Sequence, residues 1–158
     1  RQRQMCIRDR LRLAMVLETV WPNGIPEIGQ SAQRSRKINT RDIELFTEIS
    51  GDCNPLHYDE DIARMSKFGG IVVQGGVTSA ILNAVVAEDL PGPGTVFLQV
   101  NWNFKAPVHP GDTITGEVIV EKVRTDKPIT ELQTRVIRDD GSIVLDGDAV
   151  CYTMPIID

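Results

Sequence analysis

A carboxylate and an imidazole stand five residues apart in the stretch Ser50-Gly51-Asp52-Cys53-Asn54-Pro55-Leu56-His57. Pro55 fixes its own φ and disfavours a helical conformation for the residue before it, while Gly51 allows a turn that other residues resist. Asp52 and His57 are therefore predicted to lie on a rigid, irregular loop, where working side chains are often held. Together they form a minimal acid and base for proton transfer, although a loop Asp near a His is more often a hydrogen-bonded pair without chemistry.

The composition is that of an ordinary globular domain, with 158 residues, 41% of them hydrophobic and 25% charged. The net charge of −5 argues against nucleic acid as the main partner. No apolar run approaches the length that a membrane span needs, so no membrane partner is expected. Cys6, Cys53 and Cys151 are widely spaced and form no disulfide framework or paired zinc motif, which favours a reducing cytoplasm and no metal site.

The first fourteen residues differ from the rest of the chain because they are rich in arginine and nearly free of acids. Their arginines resemble those of a mitochondrial presequence, but serine is absent and Met15 is a possible start. We therefore interpret residues 1–14 as a non-native or disordered extension, and residues 15–158 as one domain.

Two predicted helices flank the loop that carries Asp52. Thr40 is a plausible N-cap, with Asp42 in the first turn, for a helix that ends at Gly51. Asp59 is placed to cap a short helix that runs to about residue 66.

The clearest helix begins at Gly75-Gly76 and stops before Pro91. Its apolar residues follow the i, i+3, i+4, i+7, i+8 pattern from Val77 to Val85, and nearly every residue is small or apolar. Such a helix is predicted to be buried and wrapped by a sheet.

Alternating apolar residues then predict an antiparallel meander, so the fold class is α+β. A weaker strand is expected within residues 27–38, before the helices. The other predicted strands are residues 96–104, 114–120, 127–138 and 143–154, with a hairpin turn at Asp139-Asp140-Gly141-Ser142.

The run from Phe46 to His57, with Ala63 six residues later, resembles the hydratase-2 motif of the MaoC-like, (R)-specific enoyl-CoA hydratases, which have the hot-dog fold. The resemblance covers roughly residues 36–155. It continues through Val73-Gln74-Gly75-Gly76, Phe104-Lys105-Ala106-Pro107-Val108 with Gly111-Asp112, and Asp126-Lys127-Pro128.

This resemblance implies that Asp52 and His57 act on one water, which adds across the double bond of a trans-2-enoyl thioester to give an (R)-3-hydroxyacyl-CoA, or leaves it in the reverse dehydration. It implies an acyl-CoA substrate, whose CoA is part of the substrate, and no metal or redox cofactor. It also implies a homodimer or double hot dog with the acyl tunnel between two units.

Hydration of a conjugated thioester needs a base for water, an acid for C2 and a donor that stabilises the enolate oxygen, and the sequence offers a candidate for each role. We expect Asp52 to act as base and His57 as acid, although a coupled pair resists individual assignment. The N–H of Gly75, at the positive end of the buried helix, is the expected oxyanion donor. Asn54 is a candidate to orient Asp52 through its side-chain amide, or to satisfy only its own loop. Asn83, where the family often has a hydroxyl, is a candidate to support the loop.

The remaining candidates carry weaker signals. Lys105, Lys127 and also Arg124 are candidates to meet CoA phosphates, although such residues are more often simply solvated. Cys53 has no geometry that predicts a nucleophile, and His109 between Val108 and Pro110 is expected to be a turn residue.

Two other functions remain open from the residues. A hot-dog thioesterase would use the carboxylate to drive water at the thioester carbonyl, and a non-catalytic acyl-binding protein would keep the pocket without chemistry. The Asn-Pro-x-His continuation after Asp52 favours hydration. Acyl-chain length, CoA against acyl-carrier protein, and the pathway are all left open.

Overall fold

The computed structural model describes residues 6–21 and 24–156. Its helices are α1 (Ile7–Val20), α2 (Thr40–Ser50), α3 (Glu60–Met65) and α4 (Gly75–Glu88), with a short 3₁₀ helix at Pro55–His57. Its strands are β1 (Ser31–Lys37), β2 (Thr95–Phe104), β3 (Thr113–Val123), β4 (Ile129–Arg138) and β5 (Ile143–Thr153).

The helix α1 runs across the boundary that the sequence suggested at Met15. That residues 1–14 are a non-native or disordered extension stays a prediction, and residues 1–5 of this segment lie outside the described residues.

The strands form one antiparallel sheet in the order β1-β3-β4-β5-β2. The predicted meander is present as β3, β4 and β5, and the predicted hairpin turn joins the last two, with Gly141 at a φ of 84°. The prediction was wrong for its first strand, because β2 pairs with β5 at the far side of the sheet and not with β3. β1 and β2 are the edge strands, so each has one side without a strand partner in the described chain.

Helix α4 packs against all five strands. The side chains of Val77, Ile81, Leu82 and Val85 enter the core because the helix is apolar almost all round, as the sequence predicted. Among the helices in the described ranges, none is long and apolar enough to cross a bilayer.

The caps of α2 and α3 fix where the chain enters and leaves the loop between them. The N-cap of α2 is Asn39, so the prediction of Thr40 was wrong by one residue. Asn39 Oδ1 accepts the N–H of Arg41 at 3.0 Å, and Asp42 Oδ2 accepts the N–H of Asn39 at 2.8 Å. This capping box satisfies amide donors at the start of the helix that have no partner within it. Asp59 caps α3 as predicted.

Candidate active site

Asp52 is held at three points just beyond the C-terminus of α2. Its N–H donates to Ser50 Oγ at 3.1 Å, and its carbonyl accepts the Thr47 hydroxyl at 2.8 Å. Its carboxylate oxygen Oδ1 accepts the backbone N–H of Asn54 at 3.1 Å. Gly51, at a φ of 76°, ends the helix and allows the chain to turn so that these bonds form. The backbone and side chain of Asp52 are both fixed.

Asn54 orients Asp52 through its backbone, not through its side chain. Its side-chain oxygen instead accepts the N–H of Leu56 at 3.0 Å and caps the 3₁₀ helix that carries His57. Among the described residues the predicted side-chain contact to Asp52 is not seen, and the alternative, an Asn that satisfies its own loop, is, because an Asn before a turn readily bonds the backbone two residues on.

The ring of His57 is fixed by the chain that leads into α4. Its Nδ1 lies 2.6 Å from the carbonyl oxygen of Val72. Because a carbonyl only accepts, Nδ1 carries the proton, and Nε2 is the nitrogen left for chemistry. Nε2 lies 3.5 Å from Asp52 Oδ2, longer than a direct N–H···O bond of about 2.7–3.2 Å. One water bound to both atoms fits this spacing.

A cleft of about 650 Å³ opens beside His57. Gly75, the first residue of α4, lines it, and its N–H has no acceptor among the described residues because the first amides of a helix have no partner within it. A Cβ at Gly75 would lie 3.1 Å from the ring of Phe104, which lines the same cleft. The glycine therefore leaves room for a thioester carbonyl to approach that amide.

Of the two lysines proposed for CoA phosphates, the described chain brings only Lys105 to the cleft. Lys127 lies just before β4, whose first residue pairs with Tyr152 of β5, whereas Phe104 at the cleft pairs with Leu145. Those two β5 residues are seven positions apart, or roughly 23 Å along the strand. Lys127 therefore lies at the other end of the sheet, and its predicted role is not supported within one chain.

Asn83 is exposed on α4, and no hydrogen bond within the described residues joins it to the Asp52–His57 loop. Its supporting role is therefore not seen in one chain.

The structure also places two residues that the sequence marked as weak candidates. Cys53 is an exposed free thiol. His109 is more than a turn residue, because its Nδ1 bonds the carbonyl of Ile71 at 2.7 Å, next to the carbonyl that holds His57.

Sequence reasoning missed three residues at this site. Lys67 lines the cleft, but no local pattern marks it. Thr47 and Tyr58, on either side of the loop, form a hydrogen bond through their hydroxyls, and neither belongs to the Asp52–His57 pair that marked the loop in the sequence. Across the described ranges, no group of three or more His, Cys, Asp or Glu side chains is placed to hold a metal ion.

A five-stranded antiparallel sheet packed on one buried helix, with a carboxylate and an imidazole held near the start of that helix, defines a protein of the hot-dog class. The sequence profile described as "MaoC like domain" matches residues 24–141. The chain therefore belongs to the MaoC-like family, and the resemblance seen in its motif is confirmed.

Known relatives agree with this assignment. The chain is 36% identical over 124 residues to an (R)-specific enoyl-CoA hydratase of Aeromonas caviae, an alignment that covers 78% of this chain and 92% of the relative. It is 34% identical over 124 residues to a 3-hydroxybutyryl-CoA dehydratase of Methylorubrum extorquens, covering 78% of each. The solved (R)-hydratase of A. caviae superposes with a TM-score of 0.77 and 34% identity, over 81% of this chain and 97% of that one. The predicted α+β hot-dog fold is confirmed.

Proposed function

We propose that this protein is a hydro-lyase that adds water across trans-2-enoyl thioesters to give (R)-3-hydroxyacyl thioesters, and catalyses the reverse dehydration. The observation that carries the proposal is the 3.5 Å separation of Asp52 Oδ2 and His57 Nε2 beside a cleft that Gly75 lines. The names of the relatives, enoyl-CoA hydratase and 3-hydroxybutyryl-CoA dehydratase, support the same chemistry and an acyl-CoA substrate.

The proposed reaction moves two protons and one hydroxide. Asp52 accepts a proton from the water while the water oxygen bonds to C3 of the enoyl group. The π electrons of the C2–C3 double bond then move into an enolate, which places negative charge on the thioester oxygen. The Gly75 N–H stabilises that enolate oxygen, a kind of contact worth about 2.7–4 kcal/mol in comparable sites. Protonated His57 then delivers the Nε2 proton to C2. Proton transfer from Asp52 to His57 resets the pair.

The hydrogen bond of His57 to Val72 determines which ring nitrogen takes part in the proposed steps. Since Nδ1 keeps its proton against the carbonyl oxygen at 2.6 Å, only Nε2 exchanges a proton with substrate or with Asp52. Hydration changes no overall oxidation state, so the proposed reaction involves no redox cofactor, and the acid/base pair with one amide supplies each step without a metal.

Two lysines at the cleft are proposed to bind the phosphates of CoA. Lys67 and Lys105 both line the cleft. Lys105 Nζ is 3.6 Å from Asp146 Oδ1. Such an exposed ion pair is weak, so a phosphate can replace the carboxylate as the partner of the ammonium at little cost in free energy. Both lysines are exposed, so they act as mobile point charges.

We propose a homodimer that pairs through the β2 edge. This strand presents Val96, Leu98, Val100 and Phe104 to solvent with exposed fractions of 52%, 59%, 43% and 56%. An exposed apolar edge strand of ten residues favours pairing with another strand. Because Phe104 also lines the cleft, a second copy there would close one side of it. Sedimentation should give a dimer, and Leu98→Asp should shift it toward monomer.

A cytoplasmic location is also proposed. It is supported by the three free thiols, Cys6, Cys53 and Cys151, which suit a reducing compartment.

Incubation with crotonyl-CoA tests the proposed activity against its main rival. A hydratase removes the enoyl absorbance without releasing a free thiol, and the product should be the (R)-3-hydroxy thioester. Release of CoA thiol would instead identify a thioesterase. Binding without either change would identify a non-catalytic acyl-binding protein.

A further inference from the structure

The hydroxyl of Thr47 stands at the centre of a hydrogen-bonded network that touches all three segments of the proposed site. Its oxygen lies 2.8 Å from the Asp52 carbonyl oxygen, 2.5 Å from the Tyr58 hydroxyl and 3.1 Å from Gln74 Nε2. Tyr58 directly follows His57 in sequence, and Gln74 directly precedes Gly75.

The direction of each bond follows from what each partner is able to donate. The Asp52 carbonyl only accepts, so the single proton of the Thr47 hydroxyl points to it. The buried amide of Gln74 gives its second N–H to the carbonyl of Ile43 at 3.2 Å, which fixes its NH₂ group on this side. Tyr58 must then donate its own O–H to Thr47.

Thr47 thus uses its whole hydrogen-bonding capacity, one donated and two accepted bonds. Serine and threonine alone provide that combination on a side chain of this size. Because the hydroxyl stands on the last turns of α2, the bonds tie the Asp52 loop and the start of α4 to one rigid helix.

We infer that Thr47 is a positioning residue, whose hydroxyl sets the relative places of the acid/base pair and the Gly75 amide. This inference rests on the proposed hydratase function. Thr47 is not among the residues that line the cleft, and it acts through Asp52, Tyr58 and Gln74. A displacement of about 1 Å in such a site typically lowers the rate by about a hundredfold.

The test compares Thr47→Val with Thr47→Ser by steady-state kinetics on crotonyl-CoA. Valine keeps the shape of threonine but leaves the Tyr58 hydroxyl and the Gln74 amide without this acceptor. We expect kcat to fall about 10- to 100-fold while KM changes less than about twofold. Serine should restore kcat to within about threefold of the natural protein, because it keeps the oxygen.

Thr130→Val is the matched control. It makes the same chemical change at a fully buried threonine, whose hydroxyl has no partner among the residues that the structure describes. Its kcat should equal that of the natural protein. A Thr47→Val variant with a kcat within about threefold of normal, or a Thr47→Ser variant no better than valine, overturns the inference.

Two further measurements keep the test decisive. If Thr47→Val does not fold, Tyr58→Phe replaces it, since this side chain is half exposed and its loss leaves the core intact; an unchanged kcat there overturns the inference. Hydrogen exchange of residues 51–58 should be faster in Thr47→Val than in the natural protein, and equal protection counts against it. The hydrogen-exchange measurement does not depend on enzymatic activity. Failure of the natural protein to hydrate crotonyl-CoA, by contrast, rejects the proposed function itself.

Discussion

The loop that carries the acid/base pair and the mouth of the cleft are held in opposite ways. In the loop, Asp52 is bonded through its amide, carbonyl and carboxylate, and His57 through its ring. At the mouth, Lys105 meets one carboxylate at 3.6 Å, and the Lys67 ammonium lies 5.3 Å from the ring centre of Phe68. The side chains proposed for proton transfer are therefore held by several hydrogen bonds, whereas the lysines proposed for phosphate binding are exposed and weakly paired.

The largest effects on kcat are expected for substitutions in the hydrogen-bonded loop. Asp52→Asn and His57→Ala should each lower kcat on crotonyl-CoA by about 10² to 10⁴, because each removes one proton transfer. Circular dichroism should show an intact fold in both variants. The melting temperature of Asp52→Asn should match the natural protein because that side chain is 39% exposed, whereas His57→Ala removes a side chain that is only 10% exposed and should melt somewhat lower. Normal turnover in either variant would contradict the assigned roles.

Gly75→Ala tests the approach to the enolate donor. The added Cβ would lie 3.1 Å from the Phe104 ring, so the ring or the helix start must shift and the carbonyl would lose its place at the amide. We expect kcat to fall by about a hundredfold. Gly70→Ala is the control, because a Cβ there meets nothing within 4 Å. Equal kinetics for these two alanine variants would speak against Gly75 as donor.

Substitution of the exposed lysines at the mouth of the cleft should have smaller effects, confined to KM. Lys67→Ala and Lys105→Ala should each raise KM for crotonyl-CoA by about two- to fivefold with little change in kcat, as expected for exposed charges. The increase should shrink at high salt. Lys127→Ala is the matched control and should leave KM unchanged; an effect as large as that of Lys105→Ala would place Lys127 at the substrate through a partner chain.

The smallest effect is expected at Cys53, which lies in the loop but is exposed and takes no part in the proposed chemistry. Cys53→Ser should leave kcat unchanged. Alkylation near neutral pH should label Cys53 and spare Cys151, because burial raises the pKa of the Cys151 thiol to about 12. Loss of activity in Cys53→Ser would reopen the possibility of a thiol mechanism.

Features set by neighbouring residues could be predicted from the sequence, and features set by packing could not. Pro55 and Gly51 constrain the backbone locally, so the irregular loop was predictable, as was α4 from its apolar residues. The direction of Asn83 depends on which face of α4 meets the sheet. The distance of Lys127 depends on strand register.

The network around Thr47 shows the same limit. Its partners lie 5, 11 and 27 residues away, so no local pattern joins them. Only the packing of α2 beside the start of α4, where Gly76 leaves room for the ring of Phe46, brings these groups together.

The most direct test of the central claim follows the oxygen of water. Crotonyl-CoA incubated with the protein in ¹⁸O-water should yield a 3-hydroxybutyryl thioester with the label on C3, the thioester intact and the (R) configuration. Asp52→Asn should form this product at least about a hundredfold more slowly. Label in the carboxylate of free crotonate, with CoA released, would show that the water attacks the carbonyl and would contradict the proposed hydration.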